Sequence, residues 1–228
     1  MLESILNIGS WLVENWQGLG VFFGCLLITV LIHELGHMIV ALRCGIGVKA
    51  FSIGFGAPFL HKTIKGIDYR LSPLPFGGYV DIQGMSSKKK PTDFLAHRYL
   101  HKFLVLIAGV TTNILLALGI YLIHYGSVSL GFKIDLLTLK AMFTQDYTVM
   151  QGVFRYIPIN LFLLQLSVLN LFCGVSNLLP IVPLDGGLIW YYIVEKKLSK
   201  GFKRFINVSG WIFVIGIQVV LLYWIYFK

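Results

Sequence analysis

Hydrophobic residues along this chain fall into four long runs separated by polar segments. The runs cover approximately residues 5–42, 103–125, 157–194 and 206–226. A helix that crosses a bilayer needs about 20 predominantly apolar residues, so each run is long enough for one crossing. The pattern therefore predicts an α-helical membrane protein in which residues 1–228 form a single integral-membrane domain with about four transmembrane helices.

Two of the four runs are longer than one crossing and contain interruptions. In the first, Glu14 and Asn15 are followed by two glycines, Gly18 and Gly20. We interpret this run as an N-terminal amphipathic interfacial helix over Leu2–Trp16, followed by a first span over residues 19–42. The third run contains two prolines near residue 180, and proline disrupts a helix interior. It is predicted to be a broken span over residues 157–194.

The polar segment between the first two runs has a different pattern. β-branched and aromatic residues alternate there with glycine and proline, which is typical of short strands and turns. Strands are expected near Lys49–Ile53, Ile67–Leu74 and Gly78–Ile82. They would form a small membrane-associated sheet or hairpin that offers an edge strand, although an ordinary loop remains an alternative. The glycines expected at the turns are Gly54, Gly56, Gly77 and Gly78.

The composition and the distribution of charge agree with a membrane protein. The chain is 57% hydrophobic and 13% charged, whereas soluble domains average roughly 45–50% and 25%. Lysine and arginine are absent from residues 1–20, number ten in residues 43–102, three in residues 126–156 and five in residues 195–205. Because cytoplasmic loops are enriched in these residues, both termini are predicted outside. The net charge of +9 then needs no nucleic-acid partner.

The first span contains residues that are unusual inside a membrane. His33 and His37 are four residues apart, so they share one face of a helix, and Glu34 lies beside them. This arrangement is typical of two zinc ligands with a general base. Ionisable residues within spans are costly and usually functional, which argues against a chance match. Asp185 is the only acidic residue between Asp146 and Glu195, and it is the candidate for a third ligand, with a helix cap as the alternative.

With these motifs in place, the chain resembles the site-2 protease family of intramembrane zinc metalloproteases, in particular the bacterial type that cleaves anti-sigma factors. The further stretches that carry the resemblance follow in the family's order. They are RCGIGVKAFSIGFG at residues 43–56, PLPFGGYV at residues 73–80, LIAGVTTN at residues 106–113 and NLLPIVPLDGG at residues 177–187.

The resemblance implies roles for individual residues. His33, His37 and Asp185 would hold one Zn²⁺ per chain, and Glu34 would be the general base. Asn177 matches the asparagine that helps to hold the substrate or the oxyanion. Further substrate-binding candidates are Asn113, Gly54, Gly56, Gly77 and Gly78. Many relatives carry PDZ domains between the second and third spans, but the connection here is about 30 residues, and we expect no PDZ domain.

The expected function is hydrolysis of a peptide bond within or near the transmembrane segment of a single-span membrane protein, with or without an earlier cut by another protease. The enzyme would be a multi-pass protein of the bacterial cytoplasmic (inner) membrane, in contact with the lipid bilayer and with its active site towards the cytoplasm. The alternatives are a zinc-binding membrane carrier, which would use the same ligands without hydrolysis, and a catalytically silent scaffold.

Overall fold

The computed structural model describes residues 2–85, 90–144, 146, 148, 160–194 and 198–227. Within these ranges the chain is mostly helical and contains one small sheet, as predicted. The elements are α1 (Leu2–Arg43), β1 (Val48–Phe55), β2 (Leu60–Ile64), β3 (Ile67–Leu71), β4 (Leu74–Ile82), α2 (Tyr99–Tyr125), α3 (Val128–Thr144), α4 (Leu161–Ser176), α5 (Asp185–Val194) and α6 (Lys200–Phe227).

Helix α1 is one uninterrupted helix of 42 residues. The prediction of a separate interfacial helix that ends before a first span is therefore wrong. Gly18 and Gly20 each cost a helix only about 1 kcal/mol relative to alanine. Residues 1–43 contain no proline, which is the residue that would have removed a backbone hydrogen bond and broken the helix.

Two helices in the described ranges are long and apolar enough to cross a membrane, Gln17–Arg43 within α1 and Tyr99–Tyr125, which is α2. The third hydrophobic run is broken as predicted, because α4 ends at Ser176 and α5 begins at Asp185. The predicted fourth span lies within α6. A total of four spans therefore stays a prediction.

Helices α1, α2 and α4 pack together as the core that carries the site. The Thr112 hydroxyl of α2 donates to the Ile32 carbonyl oxygen at 3.1 Å, whereas His37 is paired with Val105, so α2 runs antiparallel to α1. Asn170 of α4 donates to Thr29 of α1 at 2.9 Å. Small residues permit this close approach of helices in a membrane.

The sheet has the strand order β2-β3-β1-β4. β1 pairs with β3 in parallel and with β4 in antiparallel register, and β4, at the edge of the sheet, packs against α1. Strand β2 was not predicted, because its sequence LHKTI is exposed throughout and lacks an alternating pattern. The turn prediction was wrong for Gly54, Gly77 and Gly78, which lie within β1 and β4; Gly56 directly follows β1.

Helix α3 lies in the connection of about 30 residues between the second and third predicted spans. It packs against α2 and α4, and its fully buried Asp135 accepts two hydrogen bonds. The Tyr121 hydroxyl donates at 2.6 Å and the Ser167 hydroxyl donates at 2.9 Å. This polar junction holds the connection against the helical core.

Candidate metal centre

The two histidines of α1 face the interior of the helix bundle. His33 and His37 are 8% and 7% exposed, and their Nε2 atoms are 3.2 Å apart. His37 Nδ1 lies 2.7 Å from the Val105 carbonyl oxygen. If Nδ1–H donates to this oxygen, Nε2 carries the lone pair that a metal requires. Metal-binding histidines are usually oriented by such a second hydrogen bond.

Asp185 is brought to the histidines by the fold of the broken segment. The Gly186 amide donates to the Asn177 carbonyl oxygen at 2.7 Å, which turns the chain back to begin α5. Gly186 and Gly187 are required in this turn, because a Cβ on either would overlap the main chain of residues 178–182. Asp185 is thereby held as the first residue of α5, with an exposure of 8%.

The three side chains converge in a geometry that suits a tetrahedral metal ion. Asp185 Oδ2 is 3.1 Å from His33 Nε2 and 3.3 Å from His37 Nε2. Zinc bonds to nitrogen and oxygen of about 2.0–2.1 Å place neighbouring ligand atoms of a tetrahedron roughly 3.3 Å apart. Oδ2 is buried, and among the described residues it has no partner with hydrogen-bond geometry. The donor set and its spacing therefore fit zinc better than a hydrogen-bonded cluster.

A cavity of about 230 Å³ opens onto this cluster. Glu34 lines it beside the histidines, and strand β4 forms one wall. A Cβ on Gly78 would lie 3.2 Å from Glu34 Cγ, so the strand passes directly beside the carboxylate side chain. The other lining residues are Tyr79, Val80, Ile82, Met85, Leu106, Asn177, Pro183 and Leu188.

Residues 21–217 match the peptidase family M50. The chain belongs to peptidase family M50. The matched region includes the part of α1 that carries His33, Glu34 and His37 and the start of α5 that carries Asp185, and it confirms the resemblance to the site-2 proteases.

Relatives of this M50 chain occur in several bacteria. A protein of Chlamydia pneumoniae that is named as a zinc metalloprotease is 44% identical over 111 residues, which are 43% of this chain and 18% of the relative. A Campylobacter jejuni protein with the same kind of name is 41% identical over an alignment of 106 residues, which covers 43% of this chain and 29% of the relative. The regulator of sigma E protease of Haemophilus influenzae is 34% identical over an alignment of 113 residues, which covers 47% of this chain and 26% of the relative. In each case the chain spans less than a third of the relative's length.

The structure brings some of the predicted substrate-binding residues to the cavity and not others. Asn177 and Gly78 line it. The Asn177 side-chain amide donates to the Cys173 carbonyl oxygen at 3.0 Å, which directs the side chain from the end of α4. Asn113 is fully buried and does not line the cavity. The glycines that also lie outside the lining are Gly54, Gly56 and Gly77.

Two residues beside the cluster were not predicted from the sequence. Gly109 of α2 lies directly against both imidazole rings. Cys173 of α4 contacts His33, and its sulfur accepts from Asn177 Nδ2 at 3.4 Å. The glycine in an otherwise bulky apolar helix was a signal for close helix packing, whereas the contact of Cys173 depends on how α1 and α4 align.

Proposed function

We propose that this M50 chain is an intramembrane zinc metalloprotease that cuts a peptide bond within or near the transmembrane segment of a single-span membrane protein. The observation that carries the proposal is the convergence of two imidazoles and one carboxylate at tetrahedral spacing in a cavity that Glu34 also lines. This set leaves a fourth coordination position free for water, as hydrolytic zinc sites require.

In the proposed mechanism, His33, His37 and Asp185 would hold the zinc. The bound ion would acidify a water molecule and polarise the substrate carbonyl. Glu34 takes the proton of the attacking water and delivers it to the leaving amine, as a general base and then a general acid. Asn177, at the rim of the same cavity, donates a hydrogen bond to the substrate main chain or to the developing oxyanion.

The position of β4 supports a role of the sheet in substrate binding. A substrate helix must unwind before its peptide bond becomes accessible, and its freed backbone groups then need partners. β4 ends the sheet in the described part of the chain and forms a wall of the cavity. Addition of the substrate as a further strand would supply those partners.

The membrane location belongs to the same proposal. We assign the chain to the bacterial inner membrane with four spans, both termini outside and the metal centre towards the cytoplasm. The lysine and arginine distribution supports this orientation. His37 and His33 lie six and ten residues before Arg43, the end of α1, which corresponds to roughly 9 and 15 Å along a helix.

The name of the Haemophilus relative refers to the regulation of sigma E. By that similarity we propose a substrate of the same general class, a membrane-anchored regulator with one transmembrane helix. Such a substrate would enter from the bilayer, with or without an earlier cut by another protease. A zinc carrier would need the same ligands but has no chemical need for Glu34 in the cavity, and a silent scaffold has no need for the intact set.

The first test compares wild type, Glu34→Gln and Asp185→Ala, each co-expressed with tagged single-span substrates that are already trimmed on the outer side. Immunoblots report the cytoplasmic fragment, and elemental analysis reports zinc in the purified proteins. The proposal expects a fragment in wild type alone. The zinc content of Glu34→Gln should equal that of wild type, and the zinc content of Asp185→Ala should be lower. Cleavage by Glu34→Gln would refute the assigned base, and stoichiometric zinc without cleavage of any substrate would favour the carrier or the scaffold.

A further inference from the structure

The ring of His33 has one nitrogen directed to the metal cluster and one directed away from it. Nε2 faces Asp185 and His37. Nδ1 is buried, and within the described residues it has no hydrogen-bond partner. In a neutral imidazole that binds a metal through Nε2, Nδ1 carries the proton and is a donor. His37 satisfies its Nδ1 with Val105, so the two histidines differ in this respect.

Asn113 of α2 is a second buried polar group without a partner. It is fully buried, and both Oδ1 and Nδ2 have no hydrogen-bond partner among the residues that the structure describes. It follows Gly109 by one helical turn on the same face of α2. Because Gly109 lies against the His33 ring, Asn113 lies one turn of α2 away from that contact.

Asn170 of α4 provides a third unused polar atom at the same junction. Its Nδ2 donates to Thr29 Oγ1 at 2.9 Å and to the Leu166 carbonyl oxygen at 2.8 Å, which fixes the side-chain amide. Its Oδ1 is buried and accepts no hydrogen bond in the described part of the molecule. This oxygen therefore has a defined orientation and a free acceptor site.

The contacts of neighbouring residues bring the three groups towards one junction between α1, α2 and α4. Thr29, the partner of Asn170, precedes His33 by one turn on α1. Gly174 follows Asn170 by one turn on α4, and a Cβ on Gly174 would lie 3.6 Å from Asn113 Cβ. The thiol of Cys173 also approaches the His33 ring, but a thiol is a weak hydrogen-bond partner.

We propose that this junction, one turn beyond the metal centre, is a binding site for an ordered water molecule. Buried polar groups are nearly always hydrogen-bonded, and a buried water typically makes about three hydrogen bonds. One water can pair three of the four atoms: its oxygen accepts from His33 Nδ1–H, and its two protons go to Asn113 Oδ1 and Asn170 Oδ1, while Asn113 Nδ2 keeps no partner among the described residues. The water thus does for His33 what the Val105 carbonyl does for His37.

The water has a consequence for the metal, and this part rests on the proposed role of His33 as a ligand. Loss of an outer partner of a metal-binding histidine typically lowers metal affinity by about 10–100-fold. Asn113→Leu keeps the number and branching of the side-chain heavy atoms and removes two of the polar atoms at the site. We expect the variant to release zinc to a chelator roughly 10-fold faster.

The test measures zinc release from purified Asn113→Leu and wild type, both in a Glu34→Gln background so that proteolysis plays no part. Thr111→Val is the matched control, because its hydroxyl bonds only to the Ile107 carbonyl oxygen of its own helix and should leave the rate unchanged. Without a water, Asn113→Leu would remove an unpaired buried amide, which is neutral or stabilising. An unchanged rate in Asn113→Leu would overturn the proposal.

A structure of the Glu34→Gln protein at about 2 Å or better provides the second measurement, because it does not depend on how Asn113→Leu folds. A density peak within hydrogen-bond distance of His33 Nδ1, Asn113 and Asn170 is expected. Direct contact among these groups without a peak would exclude the water. If the peak is present but wild type cleaves no substrate, the proposed protease function fails and the water site stands. If wild type cleaves a substrate but the peak is absent, the water site fails and the protease function stands.

Discussion

Gly109 of α2 faces the imidazole of His33 at a separation that leaves no room for a side chain. A Cβ on Gly109 would lie 2.7 Å from His33 Cε1 and 2.8 Å from His33 Nε2, and it would also overlap His37 Nε2. The main chain of the second core helix therefore lies against the Nε2 edge of both histidine rings. The position of the ligand atoms depends on the absence of a side chain at this residue.

Gly109→Ala should accordingly weaken zinc binding although it changes no ligand. The added methyl group displaces one or both rings from the geometry shared with Asp185, and small displacements at such a site cost binding and activity steeply. We expect at least a 10-fold loss of zinc affinity, measured by competition with a chromogenic chelator. Gly119→Ala is the control on the same helix, because a Cβ there meets nothing within 4 Å. Equal zinc affinity in the two variants would contradict the prediction.

Removal of zinc should destabilise the protein. A ligand that binds only the folded state at 100 times its Kd stabilises by about 2.7 kcal/mol, which corresponds to roughly 5–10 °C in Tm for a chain of this size. Thermal unfolding in detergent with and without 1,10-phenanthroline measures this shift. Glu34→Gln should show the same shift as wild type and Asp185→Ala a smaller one, because only the latter removes a ligand. A full shift in Asp185→Ala would exclude this carboxylate as a ligand.

Gly78→Ala should separate catalysis from metal binding. A Cβ on Gly78 would lie 2.6 Å from the Ser52 carbonyl oxygen of β1 and 3.2 Å from Glu34 Cγ, so β4 has to shift beside the proposed base. The substitution changes none of the three proposed ligands. We expect a loss of cleavage of about 10-fold or more with unchanged zinc content. Loss of zinc together with cleavage would show instead that β4 supports the whole cluster.

Residues of the site could be predicted from the sequence where they are close together in the chain or are the single residue of their kind in a segment. His33 and His37 belong to one helix, so their spacing alone places them on one face, and Asp185 is the single acid in a broken apolar stretch. Contacts between elements could not be predicted in this way. The approach of Gly109 to His33 depends on the alignment of α1 with α2, and no periodicity within either helix encodes that alignment.

The fold shows the same division between local and tertiary information. The break between α4 and α5 follows from Pro180 and Pro183, whose effect on the backbone is local. Helix α3 was missed because its hydrophobic residues are interspersed with polar and charged ones, and its buried Asp135 is acceptable only with Tyr121 and Ser167 as partners. Those partners come from α2 and α4, which the α3 sequence does not reveal.

Asp135 should make the stability of the protein depend on pH. It lies outside the predicted spans, and burial raises the pKa of its carboxyl to about 6, although the hydrogen bonds from Tyr121 and Ser167 oppose the shift. The unfolded chain has the ordinary value of 3.8. Because the pKa of Asp135 is higher in the folded than in the unfolded chain, protonation of this carboxyl stabilises the folded state. This contribution to stability is fully present below the unfolded pKa. It is lost progressively as the pH rises through 6.

Asp135→Asn should remove this dependence, because an amide stays neutral and its oxygen and nitrogen can still pair with the two hydroxyls. The Tm of Asp135→Asn should exceed that of wild type by a few degrees at pH 8, where the wild-type carboxylate is buried in its charged form. The difference should be clearly smaller at pH 5, where the folded wild type is largely protonated at this site. Measuring both proteins at each pH cancels the titration of the histidines, which they share. The same difference in Tm at both pH values would show that Asp135 is not the group that titrates.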